Sequence, residues 1–393
     1  MRIALATWFP SDPSAPRGGV EAVSVNLARA LARMAGAEIH VVTSHHSIGA
    51  SEQLRWEWVT IYRLPRSPGS LLAFARGEGH RRLGEFLEEL RPDLVHAHDT
   101  FGIMTRGLEL PRVFTIHGFI HEDTRLIGGW KNRLRASLWK REEFATWAEQ
   151  PHIIAISPYV RERLKGIARG VIHDIENPID PACFEIQRNE EPRRILSVGV
   201  ICRRKNPQAL VDAVALLDPG FGVKLRLSGP VGEADYGERL AASIRDCDLT
   251  KHVELLGSLS APKVREELAR AAVFALCSFE EGAPLGIAEA MAAGVPIVTS
   301  NRCGMPYMVR HGETGFLVNP EDTHDISRHL DEILRDDQLR LRMGQAARVF
   351  AVEHFHPEFV ANRTLRVYRQ VIGEQESVEV KHQPKRDVEH TQD

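Results

Sequence analysis

Asn177-Pro178-Ile179-Asp180-Pro181-Ala182-Cys183-Phe184-Glu185-Ile186-Gln187-Arg188-Asn189-Glu190-Glu191-Pro192-Arg193-Arg194 divides the chain in two. The stretch holds three prolines, many charges and little periodicity, which is the composition of a linker. Before it, apolar runs near residues 2–7, 38–43, 93–97, 112–116 and 152–156 read as buried strands with amphipathic helices between them. One helix covers roughly 20–34, with Val20, Val23, Leu27, Leu31 and Met34 on one face. Ser157-Pro158 opens another, an N-cap serine followed by proline at the first helical position. After the break the rhythm restarts, with strands near 195–199, 224–228, 252–256, 273–277 and 295–299. Strand–helix alternation on both sides of one break predicts an α/β protein of two Rossmann-like βαβ domains. The expected division is a first domain at 1–180, a linker at 181–194, a second domain at 195–357, an amphipathic helix at 358–373 and a polar, disordered tail at 374–393. The terminal helix carries Phe359, Leu365, Val367, Tyr368 and Ile372.

A chain of 393 residues is comfortable for two domains, and 43% hydrophobic with 26% charged residues suits sizeable cores. The net charge of −3 argues against a nucleic-acid binder. Cys183, Cys202, Cys247, Cys277 and Cys303 are far apart, odd in number and without a CxxC pair, so a reducing cytoplasm is expected rather than a disulfide framework. Met1-Arg2-Ile3-Ala4-Leu5 runs into a short strand instead of a signal-peptide core, and no apolar run reaches the length of a membrane span.

The strongest chemical signal is Glu281-Gly282-Ala283-Pro284-Leu285-Gly286-Ile287-Ala288-Glu289, which follows a strand ending at Cys277-Ser278. Pro284 suits a helix start. The N–H groups of Leu285, Gly286 and Ile287 are then free to bind an anion such as a diphosphate. Glu289 can accept hydrogen bonds from a ribose diol and Glu281 from sugar hydroxyls. On spacing alone, solvated glutamates on a surface loop and helix are an equal reading. Gly199-Val200-Ile201-Cys202-Arg203-Arg204-Lys205-Asn206 places basic groups after the first strand of the second domain, at the end where ligands sit in open α/β sheets. Arg204 and Lys205 can neutralise a diphosphate there. Gly18-Gly19-Val20-Glu21 lies on the loop after the first strand, where glycine lets backbone approach a bulky ligand.

His96-Ala97-His98-Asp99 and Thr115-Ile116-His117-Gly118 end two strands, and His117 is expected to face the interdomain cleft. His96 and His98 share one side of their strand, but a third zinc ligand at matching spacing is not evident. Asp246-Cys247-Asp248 fits the Asp-x-Asp pattern of metal-dependent sugar transferases, yet sits at a helix end away from the strands' carboxyl ends. Residues 125–147 hold a stripe of Trp130, Leu134 and Leu138 flanked by Arg133, Arg135, Lys140 and Arg141, with Trp139 and Trp147 nearby. Such a helix either packs its stripe on the first domain or lies on anionic lipid.

Taken in order, these pieces resemble glycosyltransferase family 4, the glycosyl transferases group 1, of GT-B fold. They are Gly18 to Glu21, His96 to His98, Thr115 to Gly118, Asn177 to Asp180, Arg204 to Asn206, Ser228-Gly229-Pro230, Glu281 to Glu289 and Gly312 to Val318. The resemblance spans about residues 1–372. It implies two domains around a central cleft, a terminal helix crossing back to the first domain, and retaining transfer from a nucleotide diphosphate sugar without metal or cofactor. His117, Lys205 and Glu281 would be catalytic. Gly18, Gly19, Arg204, Lys205, Gly229, Glu281, Gly282, Ala283, Leu285 and Glu289 would bind the donor. The acceptor would be a glycan, a lipid-linked or a small-molecule hydroxyl, and the enzyme would be cytoplasmic, with peripheral contact at the inner membrane surface through 125–147. Three departures stand out. Val200 replaces a family arginine, a role Arg203 or Arg204 could take. Gly282-Ala283-Pro284 replaces Gly-Phe-Gly, and Tyr307 replaces a glutamate. A non-catalytic GT-B subunit, a nucleotide-sugar 2-epimerase and a metal-dependent hydrolase built on His96 and His98 are the alternatives.

Overall fold

A computed structural model describes residues 1–46 and 48–373; the expected disordered tail lies outside the described residues. The first sheet contains β1 (Arg2–Ala6), β2 (Glu38–His45), β3 (Glu52–Trp56), β4 (Val59–Pro65), β5 (Leu94–His98), β6 (Arg112–Ile116), β7 (His152–Ala155) and β8 (Val171–Asp174), in the order β3-β4-β2-β1-β5-β6-β7-β8. The second contains β9 (Arg194–Val198), β10 (Lys224–Ser228), β11 (Val253–Gly257), β12 (Val273–Leu276), β13 (Ile297–Ser300) and β14 (Gly315–Val318), in the order β11-β10-β9-β12-β13-β14. Every pairing is parallel except β3 with β4. Central strands such as β1 and β12 are apolar runs buried on both faces, as parallel sheets covered by helices require. Strand order reverses between β1 and β5 in one sheet and between β9 and β12 in the other. Those reversals open crevices at the strands' carboxyl ends.

Sequence reading missed three places. The antiparallel hairpin β3–β4 turns at Glu57, with φ 51, and its outer strand is exposed, so no apolar run marks it. β8 is a half-exposed edge strand, and β14 holds only four residues. The stretch 181–194 joins the two sheets as a packed strap. Ile179, Cys183 and Phe184 are buried in the second core, and Asp180 accepts a hydrogen bond from the Ala182 N–H at 3.0 Å to start a 3-10 turn. Arg194 is buried against Glu267 at 2.6 Å. Arg188 pairs with Glu190 at 2.7 Å and Arg194 with Glu191 at 2.6 Å, so the strap's charges answer one another.

The chain crosses between domains twice, side by side. The outward crossing puts the Ile179 N–H on the Phe355 carbonyl at 3.2 Å, and the return follows at once. Glu176 on the first crossing takes His354 Nδ1 at 2.8 Å and Arg363 at 2.7 Å. The helix Pro357–Val371 then lies on the first domain, where Val360, Ala361, Leu365, Val367 and Tyr368 join the core of β1, β2 and the helix Gly19–Ala32. Phe359, expected among its buried residues, points to solvent. Among the described residues no helix is long and apolar enough to cross a membrane.

Tyr368 fixes the returning helix. Its ring is fully buried and its hydroxyl lies 2.6 Å from His96 Nδ1, while His96 Nε2 meets Thr115 Oγ1 at 2.7 Å. Tyr368→Phe leaves a buried ring nitrogen unpaired, which costs about 1–3 kcal/mol. Thermal unfolding should show a lowered Tm with near-native circular dichroism; an unchanged Tm would mean that this bond does not anchor the helix.

Candidate active site

The crevice of the second sheet is flanked by the loop after β9 and the loop after β12. Asn206, in the left-handed region at φ 53, staples one to the other: its Nδ2 donates to the carbonyls of Cys277 at 3.3 Å and Pro320 at 2.9 Å. The Phe279 N–H adds a bond to the Arg204 carbonyl at 2.8 Å. These bonds bring the predicted cations against the predicted carboxylate. Glu281 Oε1 accepts from Arg204 at 2.6 Å and from Lys205 Nζ at 2.5 Å. All three side chains are largely shielded from water. Arg203 turns the other way, to Glu233 at 3.0 Å and to Asp235. Of the two candidates for the missing arginine, only Arg204 faces the crevice.

The helix Leu285–Ala292 starts beside this cluster with Pro284 as its N-cap. The Leu285 and Gly286 N–H groups have no partner among the described residues, whereas the Ile287 N–H, expected to be free, is taken by the Pro284 carbonyl at 3.1 Å. The first turn is tight, which is common at helix ends. Glu289 lies on the same helix near Asp180 and Arg265. Burial, then Asp180, push its carboxyl up to about 7, with Arg265 opposing. Gly229, at φ 149, ends β10, and a β-carbon there would meet the Gly199 carbonyl at 1.9 Å, so glycine is required for two backbones to cross.

The first domain closes the other side. A β-carbon on Gly19 would stand 3.9 Å from Leu285 Cδ1, in contact with the helix start, whereas nothing lies within 4 Å of one on Gly18. Glu21 holds the glycine loop by accepting from the Arg17 N–H at 2.7 Å. Ser157 Oγ donates to the Gly282 carbonyl at 2.8 Å, and the His117 carbonyl would lie 3.1 Å from a β-carbon on Gly282. Ala283 packs against cores of both domains. Gly282 and Ala283 are therefore seam residues as well as donor-site candidates. Two further contacts that spacing did not suggest cross the seam, Arg204 with Asp123 at 3.4 Å and the Tyr159 hydroxyl donating to Glu280 at 2.6 Å; within the second domain, Cys303 Sγ lies 3.0 Å from the other Glu280 oxygen.

His117 sits at the seam with its backbone, while its ring turns down onto His98, Nε2 to Nδ1 at 2.8 Å. Burial pulls its pKa down to about 4 and that of His96 to about 3, and holds His98 well below the usual imidazole range, so the cluster is neutral at pH 7. His98 Nε2 is buried without a partner among the described residues, and the Asn177 side chain lies beside His117 and opposes the fall in its pKa. Asp99, missed in the sequence, accepts the His117 N–H at 3.0 Å from a left-handed backbone at φ 45, and burial raises its carboxyl to about 7. Both ring nitrogens of His96 are engaged. Among the described residues no group of three His, Cys, Asp or Glu side chains could hold a metal ion, and Asp246 and Asp248 are exposed at a helix end.

The sequence profile of "Glycosyltransferase Family 4" matches residues 17–182, and that of "Glycosyl transferases group 1" matches 180–350. The chain is 25% identical over 397 residues to an uncharacterised glycosyltransferase of Methanocaldococcus jannaschii, covering 94% of this chain and 98% of the relative. Among solved structures it is similar to sucrose-phosphate synthase from Thermosynechococcus elongatus, with TM-score 0.80 and 21% identity over 95% of this chain and 100% of the other. It is also similar to the Anabaena protein HepE in complex with UDP-glucose, with TM-score 0.71 and 17% identity over 94% and 100%. Two facing Rossmann-like sheets, a returning helix and adjacent profile matches through both halves agree: this chain belongs to glycosyltransferase family 4, the glycosyl transferases group 1, and has the GT-B fold.

Proposed function

We propose that this glycosyltransferase takes its sugar from a nucleotide diphosphate donor with retention at the anomeric carbon, using protein cations in place of a metal. The observation that carries the reading is the pair Arg204 and Lys205 on one oxygen of Glu281, beside the free N–H groups of Leu285 and Gly286. The donor phosphates replace Glu281 as the partner of both cations. Glu281 is then free to accept hydrogen bonds from the sugar, and Glu289 accepts from the ribose diol. The bond from C1 to the β-phosphate oxygen breaks with its electron pair left on the phosphate, where Lys205, Arg204 and the two amides stabilise the charge. The acceptor oxygen bonds to C1 on the face just vacated, and its proton passes to the departing phosphate oxygen. The His117 backbone borders the sugar from the first domain, with its neutral ring turned onto His98.

The relative HepE, solved with UDP-glucose, supports a nucleotide-sugar donor. The acceptor is a glycan, a lipid-linked or a small-molecule hydroxyl, and the protein works in the cytoplasm with a peripheral membrane contact through 125–147. A 2-epimerase would use the same donor site but return an isomerised sugar without an acceptor product, so product analysis separates the two. A non-catalytic subunit has no need of the Arg204–Lys205–Glu281 cluster, and donor turnover by the purified chain excludes it.

Lys205→Ala should lower kcat by roughly 10²–10³ while circular dichroism stays native and any fall in Tm stays small, because Arg204 still answers Glu281. The wild type should keep full rate in EDTA, and NMR of the first-formed product should show the donor's anomeric configuration. A rate abolished by chelation and restored by magnesium or manganese, or an inverted product, overturns the mechanism.

Glu289 supplies a pH test. Its carboxyl holds a proton up to about pH 7 in the free protein, whereas a ribose diol donates to the ionised form. Nucleoside diphosphate binding should therefore release a proton near neutrality and tighten as pH rises through 7. Glu289→Gln should weaken binding by about 1.5–3 kcal/mol and abolish the release. Calorimetry in buffers of different ionisation enthalpy measures both; equal proton release by the variant would remove Glu289 from the site.

A further inference from the structure

The helix Trp130–Glu149 buries one face and leaves an apolar face open. Ala136, Trp139 and Trp147 are buried, whereas Trp130 is 73% exposed, Ile127 65% and Leu134 58%, with Leu126 and Leu138 exposed beside them. Helical spacing puts Trp130, Leu134 and Leu138 within an arc of about 80°. Lys131 and Arg135 flank that arc on one side and Arg133 and Lys140 on the other. Residues 124–141 hold six Lys or Arg and no Asp or Glu, in a chain of net charge −3. Lys131, Arg133, Lys140 and Arg141 enter no ion pair among the described residues. Gly128 and Gly129, at φ 80 each, turn the chain between this helix and the preceding Ile120–Leu126.

We propose that this face docks on an anionic lipid surface and that the cleft thereby meets acceptors carried on that surface; the second part rests on the transferase reading above. An apolar stripe between cationic flanks gains from acyl burial and from headgroup charge together. A second copy on the same patch would set six cations against six. A nucleic acid would leave the stripe in water. The patch adjoins the seam: Leu126 lies one helical turn after Asp123, which reaches Arg204 at 3.4 Å. The two helices are also tied, because Glu143 accepts from the N–H groups of Ile120 at 2.8 Å and His121 at 2.9 Å and from His121 Nδ1 at 2.7 Å. Lipid under the patch therefore lies beside the mouth of the cleft.

The test is sedimentation of the full chain with phosphatidylcholine vesicles, with and without one-third phosphatidylglycerol. Binding should be at least tenfold greater to the anionic vesicles, and high salt should weaken it. Trp130→Ser with Leu134→Ser, and separately Arg133→Glu with Lys140→Glu, should each lower it about tenfold or more, with Tm unchanged because the side chains are exposed. A lipid brominated on its acyl chain should quench wild-type fluorescence more than that of Trp130→Phe. Equal binding to both vesicle types, no binding at low salt, or a dimer in sedimentation equilibrium that both double variants dissolve overturns the proposal. Calorimetry of nucleoside diphosphate binding by the Trp130→Ser/Leu134→Ser variant keeps the two readings apart. Unchanged affinity with lost vesicle binding separates the surface from the donor site, whereas lost affinity in a stably folded variant contradicts an independent docking face.

Discussion

One carboxylate oxygen holds two cations at the bottom of the cleft, and the arrangement of both domains follows from it. Arg204 and Lys205 are shielded from water, and cations so placed are costly unless a negative group answers them. Glu281 answers from the neighbouring strand's loop, and Asp123 answers Arg204 from the other domain. The cluster thus ties the loop after β9 to that after β12 and the second domain to the first with one set of charges. Neither cation is left bare, which is why a site so strongly charged coexists with a stable fold.

The elements that surround this cluster were legible in the sequence where chemistry sits close to a strand end. Lys205 follows β9 and Glu281 follows β12, and parallel sheets deliver such loops to one edge. Glu289 was legible from its place on the helix after Glu281, though its raised pKa depends on Asp180, brought in by the strap. Asp123, Tyr159 and Glu280 were not legible, because their contacts exist only once two domains meet: Tyr159 and Glu280 are 121 residues apart. His96 and Tyr368, 272 residues apart, make the same point for the fold. The free Ile287 amide was a wrong inference, because sequence does not show that the first turn tightens onto Pro284.

The stripe of Trp130, Leu134 and Leu138 shows where patterning ends. Periodicity marks a helix with two apolar faces, Trp139 and Trp147 on one and the stripe on the other, and either could meet the core. Trp147 packs against Phe119 and Phe144, with ring centroids 5.7 and 5.0 Å away, and Trp139 is buried in the same core. With that face taken, the other has nowhere to go but outward.

The paired crossings near Ile179 and Phe355 bear on how the cleft is aligned. Two chain segments are hydrogen-bonded side by side there, and Glu176 binds the first to His354 and Arg363 on the second. The two halves of the molecule therefore share one stitched line besides the seam itself. The register in which Asp123 meets Arg204 and Tyr159 meets Glu280 is referred to that line, because each half enters and leaves it at fixed residues.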